Sequence, residues 1–127
     1  MKLVIGGYAQ GKLQYVLQKY RLKEDAVWDA ALPDEKERLV GTTVINHFHR
    51  WVRNSLSDGG CPEAETESFV NRCEDCIIIC DEIGNGIVPM EAFEREYRER
   101  TGRMLIELAR KAEEVERVIC GIGQKIK

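Results

Sequence analysis

One stretch near the start of the chain has the residue types and spacing to hold a phosphate. Gly6-Gly7-Tyr8-Ala9-Gln10-Gly11-Lys12 satisfies the pattern G-x-x-x-x-G-K. Glycines let such a loop turn its backbone N–H groups inward around an anion. A helix starting at its end would add the positive pole of its dipole at the same point, and Lys12 would add a full charge toward the β- and γ-phosphates of a nucleotide. The next position in this pattern is Ser or Thr, whose hydroxyl ligates Mg²⁺. Here it is Leu13, which has no metal donor. Gly6, Gly7, Tyr8, Ala9, Gln10, Gly11, Lys12 and Leu13 are therefore expected to cradle GTP or ATP, with Mg²⁺ lacking its usual hydroxyl ligand.

A second constellation is Ile79-Cys80-Asp81-Glu82. Carboxylates at the carboxyl end of a buried strand lie where α/β sheets bind ligands, and an acid there can hold Mg²⁺ or its water shell. The competing reading is a solvated strand end. Lys12, Asp81 and Glu82 are the expected catalytic residues, with Asp81 and Glu82 positioning a metal or an attacking hydroxyl. Cys73-x-x-Cys76-x-x-x-Cys80 has part of a metal-site spacing but no fourth ligand nearby, so buried thiols are expected and no protein-held metal. His47 and His49, the two histidines, fall in a segment read as helix. Two residues apart they do not share a helix face, and neither is expected to be a nucleophile. Trp28 and Trp51 are expected in the core rather than stacked on a ligand. Arg95, Arg98 and Arg103 could meet phosphate or pair with Glu91, Glu94 and Glu99, and both readings stay open.

These residues need elements to position them. Lys2-Leu3-Val4-Ile5, closed by Gly6-Gly7, reads as a buried strand. Leu13, Val16, Leu17 and Tyr20 then lie on one face of a helix over 12–20. Ala26-Val27-Trp28 reads as a second strand. Pro33-Asp34 marks a break, with following acids that suit a helix start. The spacing of Val44, Ile45, Phe48, Trp51, Val52 and Leu56 predicts one helix over 43–56, ended by Ser57-Asp58-Gly59-Gly60. Pro62 and the acids after it open a short helix over 62–72. The continuous apolar run Cys76–Cys80 suits a strand covered on both faces, hence a parallel sheet. Residues 89–115 read as two helices separated at Thr101-Gly102, starting at Pro89, and Val118-Ile119-Cys120-Gly121 as the last strand. Alternating strands and helices imply an α/β fold, a doubly wound, mainly parallel sheet with flanking helices of the phosphate-loop NTPase type.

The chain has 127 residues, 43% apolar and 32% charged, with a formal charge of −3. That suits one globular domain over 1–127 and argues against a basic nucleic-acid binder. No apolar run is long enough to span a bilayer and the apolar start is too short for a signal peptide. A cytoplasmic protein with five reduced cysteines is expected. Residues 1–23 hold five Lys/Arg and no acid, which suits an anionic ligand, whereas residues 57–82 hold eight acids against one base. Lys19, Arg21 and Lys23 are read as a solvated face.

Taken together, these motifs resemble the adenosylcobinamide kinase/adenosylcobinamide-phosphate guanylyltransferase family of the cobalamin pathway. The phosphate loop resembles its Gly-Gly-x-x-x-Gly-Lys start. Asp81 to Pro89 (Asp-Glu-Ile-Gly-Asn-Gly-Ile-Val-Pro) resembles its Glu-Val-Gly-x-Gly-Ile-Val-Pro segment, and Arg95-Glu96-Tyr97-Arg98-Glu99 with Gly102-Arg103 resembles its Arg-x-Phe-Arg-Asp-x-x-Gly-Arg. Leu108-Ala109, Ala112 to Val115 and Gly121 to Lys127 continue in step, and Trp51, Asn54 and Leu56 resemble its Leu-Trp-Leu-x-Asn-Leu-Leu helix more thinly. Family members are longer. Their Glu-Met-x-x-Arg-Ile-x-x-His motif, whose histidine carries the guanylyl group, has only a faint echo in His49-Arg50-x-x-Arg53. Their Asn-Gln after Gly-Arg-x is Leu105-Ile106 here, and their final Pro is Gly123. The resemblance implies a nucleotide-binding protein that transfers the γ-phosphoryl group of ATP or GTP to a corrinoid hydroxyl, with guanylyl transfer lost. It also implies a homo-oligomer, a trimer in the family, while charge and hydropathy lead us to expect no nucleic-acid and no membrane partner. The alternative is a non-catalytic module that binds a nucleotide or corrinoid through a degenerate loop.

Overall fold

A computed structural model of the chain describes residues 1–83 and 90–127. Strand β1 (Lys2–Gly6) leads through the glycine loop into helix α1 (Lys12–Lys19). After a 3-10 turn come β2 (Val27–Asp29), β3 (Thr43–Asn46), α2 (Phe48–Ser57) and α3 (Pro62–Arg72). Strand β4 (Cys76–Asp81), helix α4 (Ala92–Lys111) and the hairpin β5 (Glu114–Ile119) and β6 (Ile122–Lys125) complete the chain.

The six strands form one sheet in the order β2-β3-β4-β1-β5-β6. All neighbours run parallel except β5 and β6, which are antiparallel. Alternate residues of each strand face opposite sides. Leu3, Ile45, Ile78, Cys80 and Val115 meet Phe48 and Val52 of α2, Phe69 of α3 and Tyr97, Met104 and Leu108 of α4. On the other side Val4, Val44, Ile77, Ile79 and Val118 meet Val16 of α1, with Leu13, Tyr15, Tyr20 and Val27 packed around them. Helices cover both faces of a mainly parallel sheet, the phosphate-loop NTPase-like α/β architecture expected from the alternating pattern. Among the described residues no helix is long and apolar enough to cross a membrane.

Three expected elements differ. The helix expected over 43–56 is a strand followed by a helix. Thr43, Val44 and Ile45 are β-branched and are buried between β2 and β4, where such side chains pack best. His47, with φ 52°, then turns the chain into α2. No helix forms after Pro33-Asp34: residues 31–42 hold only a turn at Glu35-Lys36. Acids in a first turn are not enough without an apolar stripe to bury. Residues 92–111 form one uninterrupted helix rather than two. Tyr97, Thr101, Met104 and Leu108 make a buried row at helical spacing, and that packing outweighs the propensity cost of Gly102. The helix also stops before Val115, which belongs to β5, and the last strand is a hairpin rather than a single run. Pro89, expected to start α4, lies outside the described residues.

Candidate functional site

Parallel strands deliver their carboxyl ends to one edge of the sheet, and β2, β3 and β4 end there on polar residues. Gly6 of β1 is in register with Asp81 of β4, and Asp29 of β2 with Asn46 of β3. The glycine loop, Asp81-Glu82, the β3–α2 turn with His47 and His49, and Asp29 therefore meet along one crevice edge, where open α/β sheets place their ligands.

The loop is shaped by its glycines. A Cβ at Gly6 would lie 2.5 Å from the Val118 carbonyl oxygen, so only glycine lets β1 leave the sheet there. Gly11, at φ 83°, caps α1 in the left-handed region that favours glycine. The hairpin turn Cys120-Gly121 braces the loop from the side. The Gly121 N–H donates to the Gln10 carbonyl at 2.8 Å, and the Cys120 N–H donates to Gln10 Oε1 at 2.7 Å. Both turn residues have positive φ, 51° and 75°, as the tight turn of a twisted hairpin requires. This brace was not legible in the sequence; the Cys-Gly turn pair between Ile119 and Ile122 was the available signal. Tyr8 stands at the loop tip, 78% exposed.

Lys12 is only 7% exposed. Its Nζ donates to the Gly7 carbonyl at 2.7 Å and lies 2.7 Å from Asp81 Oδ1. The lysine thus spans the loop and couples it to β4. Leu13 turns away from this edge and packs against the Val16 and Val44 side of the core.

His49, expected to have no part in the site, is buried within it. Its Nδ1 accepts the Asp81 backbone N–H at 3.2 Å, so the proton of the neutral ring sits on Nε2, which lies 3.4 Å from Asp81 Oδ2. Burial holds the imidazole below its ordinary pKa against the opposing pull of Asp81. The Tyr97 hydroxyl donates to the His49 carbonyl at 3.0 Å and ties this first turn of α2 to α4; burial pushes that phenol up to about 12. Helical spacing could not reveal His49, because the contact depends on where β3 ends.

Glu82 parts from Asp81. It faces Arg117 of β5, with Nη2 3.0 Å from Oε2 and Nε 2.8 Å from Oε1. The expected catalytic pair is therefore divided: Asp81 joins Lys12, and Glu82 joins an arginine two strands away. His47, at the turn into α2, sits with Asp29 and Asn46. Its Nδ1 is 2.6 Å from Asp29 Oδ1, which also accepts from Asn46 Nδ2 at 2.9 Å.

These residues do not compose a magnesium site. Leu13 supplies no oxygen and packs, partly buried, against the core, Asp81 is engaged by Lys12 and Glu82 by Arg117. Among the described residues no group of three His, Cys, Asp or Glu side chains is arranged to hold a metal.

Other candidates lie elsewhere. Cys73, Cys76 and Cys80 are buried, and burial pushes the thiols of Cys76 and Cys80 up to about 12, so they act as small core residues. Trp28 and Trp51 pack, partly buried, against the core, with Trp51 stacked on Phe48. Arg103 pairs with Glu99 at 3.0 Å, while Glu94 pairs with Arg53 across to α2. Lys19 is not simply solvated: it pairs with the buried Glu116, and that bond raises its pKa. The Gly84–Pro89 part of the Asp81–Pro89 segment lies outside the described residues.

Comparison with known proteins gives the same direction as the motifs. Residues 18–126 match the model of the cobinamide kinase / cobinamide phosphate guanyltransferase family. The chain is 40% identical over 68 residues to the bifunctional adenosylcobalamin biosynthesis protein CobU of Escherichia coli (strain K12), covering 50% of this chain and 38% of that relative. It is 37% identical over 67 residues to the protein of the same name from Salmonella typhimurium (strain LT2), covering 50% of this chain and 37% of that relative. The aligned stretch thus spans well under half the length of these curated relatives. With the family model matching from the last turn of α1 through the hairpin, most of the chain, the chain belongs to the cobinamide kinase / cobinamide phosphate guanyltransferase family.

Proposed function

We propose that this protein binds a nucleoside triphosphate, GTP or ATP, through Gly6–Leu13 and transfers its γ-phosphoryl group to the hydroxyl of a corrinoid of the cobinamide type. The observation that carries the reading is the Lys12 bridge, 2.7 Å from both the Gly7 carbonyl and Asp81 Oδ1 at the edge where β1 and β4 end. A nucleotide phosphate entering the loop would draw the ammonium from these oxygens. The freed Asp81 carboxylate, 3.4 Å from His49 Nε2, would then stand beside the reacting phosphate. Glu82, held by Arg117, serves the loop from the side rather than the reaction. Phosphoryl transfer depends mostly on positioning and charge stabilisation, which Lys12 and the α1 N-terminus can supply. The family's second activity, guanylyl transfer, is not part of this proposal, because the chain lacks the histidine motif expected for it. By resemblance we also propose a single cytoplasmic domain that works as a homo-oligomer.

Titration of GTP and ATP by calorimetry, with and without Mg²⁺, tests binding, and labelled γ-phosphate with cobinamide tests transfer. Lys12→Ala is expected to weaken triphosphate binding at least about tenfold by removing a charge-assisted contact. Unchanged affinity in the folded variant would rule out the loop as the site. A second reading, a non-catalytic binding module, is favoured by Leu13, which packs against the core and offers no metal donor. It predicts weak, Mg²⁺-independent binding and no turnover with either nucleotide.

A further inference from the structure

His47 combines three features at the turn from β3 into α2. It holds φ 52° and ψ 46°, a left-handed conformation unfavourable for a residue with a Cβ. It sits at the sharp turn from a parallel strand into a helix, at the ligand edge of the sheet, where strain sets a side chain at the mouth of the crevice. Its ring is oriented by a second residue: Nδ1 lies 2.6 Å from Asp29 Oδ1, and Asn46 Nδ2, 2.9 Å from the same oxygen, fixes that carboxylate. Nδ1–H donating to Asp29 leaves the Nε2 lone pair free, and Nε2 has no hydrogen bond among the described residues. The ring is about one-third exposed, 31%, so it is open to a ligand.

A continuous line of groups links His47 to the loop. Its ring centroid is 5.8 Å from that of His49, edge to face. His49 Nε2 is 3.4 Å from Asp81, and Asp81 is 2.7 Å from Lys12. Among the described residues, Asp29 of β2, Asn46 of β3 and His49 of α2 face His47.

We propose that His47, oriented by Asp29 and Asn46, is the general base for the acceptor of phosphoryl transfer, so that the crevice between the β2 and β4 ends takes an alcohol. This rests on the phosphoryl-transfer reading above. The acceptor O–H bond breaks and its proton goes to His47 Nε2. The acceptor oxygen bonds to the γ-phosphorus, the bond from that phosphorus to the β–γ bridging oxygen breaks, and nucleoside diphosphate leaves. Asp29 stabilises the imidazolium that forms, as a positioning residue.

The test measures labelled transfer from GTP to cobinamide and GTP affinity for the wild-type chain, His47→Gln and Asp29→Asn, with circular dichroism as the check of folding. His47→Gln is expected to lower kcat about 100-fold while GTP affinity changes less than about twofold, the signature of a lost proton acceptor. The fall in wild-type rate at acid pH should vanish in the variant. Asp29→Asn, which keeps the shape and removes the charge, should also lower kcat rather than affinity, and Asp29→Glu should recover part of it. Wild-type kcat in folded His47→Gln, or a loss in GTP affinity alone, overturns the role of His47 and leaves the kinase reading standing. A wild-type chain that binds GTP but transfers to no alcohol overturns both. If His47→Gln does not fold, wild-type kcat in folded Asp29→Asn overturns the oriented-base role.

Discussion

At the level of single residues, the site is a set of charges held against one another. Lys12 and Asp81 neutralise each other, as do Arg117 and Glu82. His49 is the buried member whose ionisation this arrangement resists. Its Nδ1 already faces the Asp81 N–H, so protonation would set two donors against each other in a place from which water is excluded. The sign follows from linkage: a folded-state pKa below the unfolded one means that the unfolded chain binds more protons. The His49 contribution is therefore complete above about pH 6.5, the free imidazole value, and is lost as pH falls below it. Unfolding free energy measured by denaturant between pH 7 and pH 5 should fall less steeply in His49→Gln than in wild type; equal slopes would contradict the buried neutral ring. Leu13→Ser probes the other unusual position. Removing a partly buried leucine should cost about 1–3 kcal/mol. The new hydroxyl should bring no Mg²⁺-dependent gain in GTP affinity, because Glu82 remains tied to Arg117 and the hydroxyl alone is a single ligand. A clear gain in the folded variant would show that the leucine alone excludes the metal.

At the level of elements, two glycines make opposite demands. Gly6 lies where β1 passes under the Val118 carbonyl, 2.5 Å from where a Cβ would stand. Gly6→Ala must push backbone against backbone and should destabilise the protein by about 2 kcal/mol or more. Gly102 lies within α4, and a Cβ there meets nothing within 4 Å. Gly102→Ala should stabilise by about 0.5–1 kcal/mol, since it removes backbone freedom from the unfolded chain and adds helix propensity. Thermal melts of both variants read these directions, and a stabilised Gly6→Ala or a destabilised Gly102→Ala would refute them. The same comparison explains the misread break at Thr101-Gly102. Local propensity argued for a stop there, whereas Thr101 lies on the buried row with Tyr97, Met104 and Leu108. The apolar period of the helix runs straight through the pair.

At the level of the whole molecule, the sheet sorts the five cysteines. Cys73, Cys76 and Cys80 are enclosed by α2, α3 and α4, while Cys61 and Cys120 stand on the surface. Thiolate is the reactive form and burial suppresses it. A thiol reagent should therefore modify two cysteines quickly in the native protein and the other three only as it unfolds; five fast thiols would mean an open core. Much of this organisation could be read in the sequence. The glycine loop between a β-branched run and an amphipathic helix, the doubly covered Cys76–Cys80 strand and the alternation of strands with helices depend on local sterics and on period, which neighbouring residues carry. What only the tertiary structure decided depends on partners distant along the chain. Thr43–Asn46 is a strand because β2 and β4 flank it on both sides, although its apolar spacing also fits a helix. Asp81 and Glu82, adjacent in sequence, serve different partners because Lys12 and Arg117 approach from different strands. The two histidines enter the site because β3 ends level with β2 and two residues short of the end of β4. Register between strands is a long-range property, set when the sheet assembles, and no local spacing encodes it.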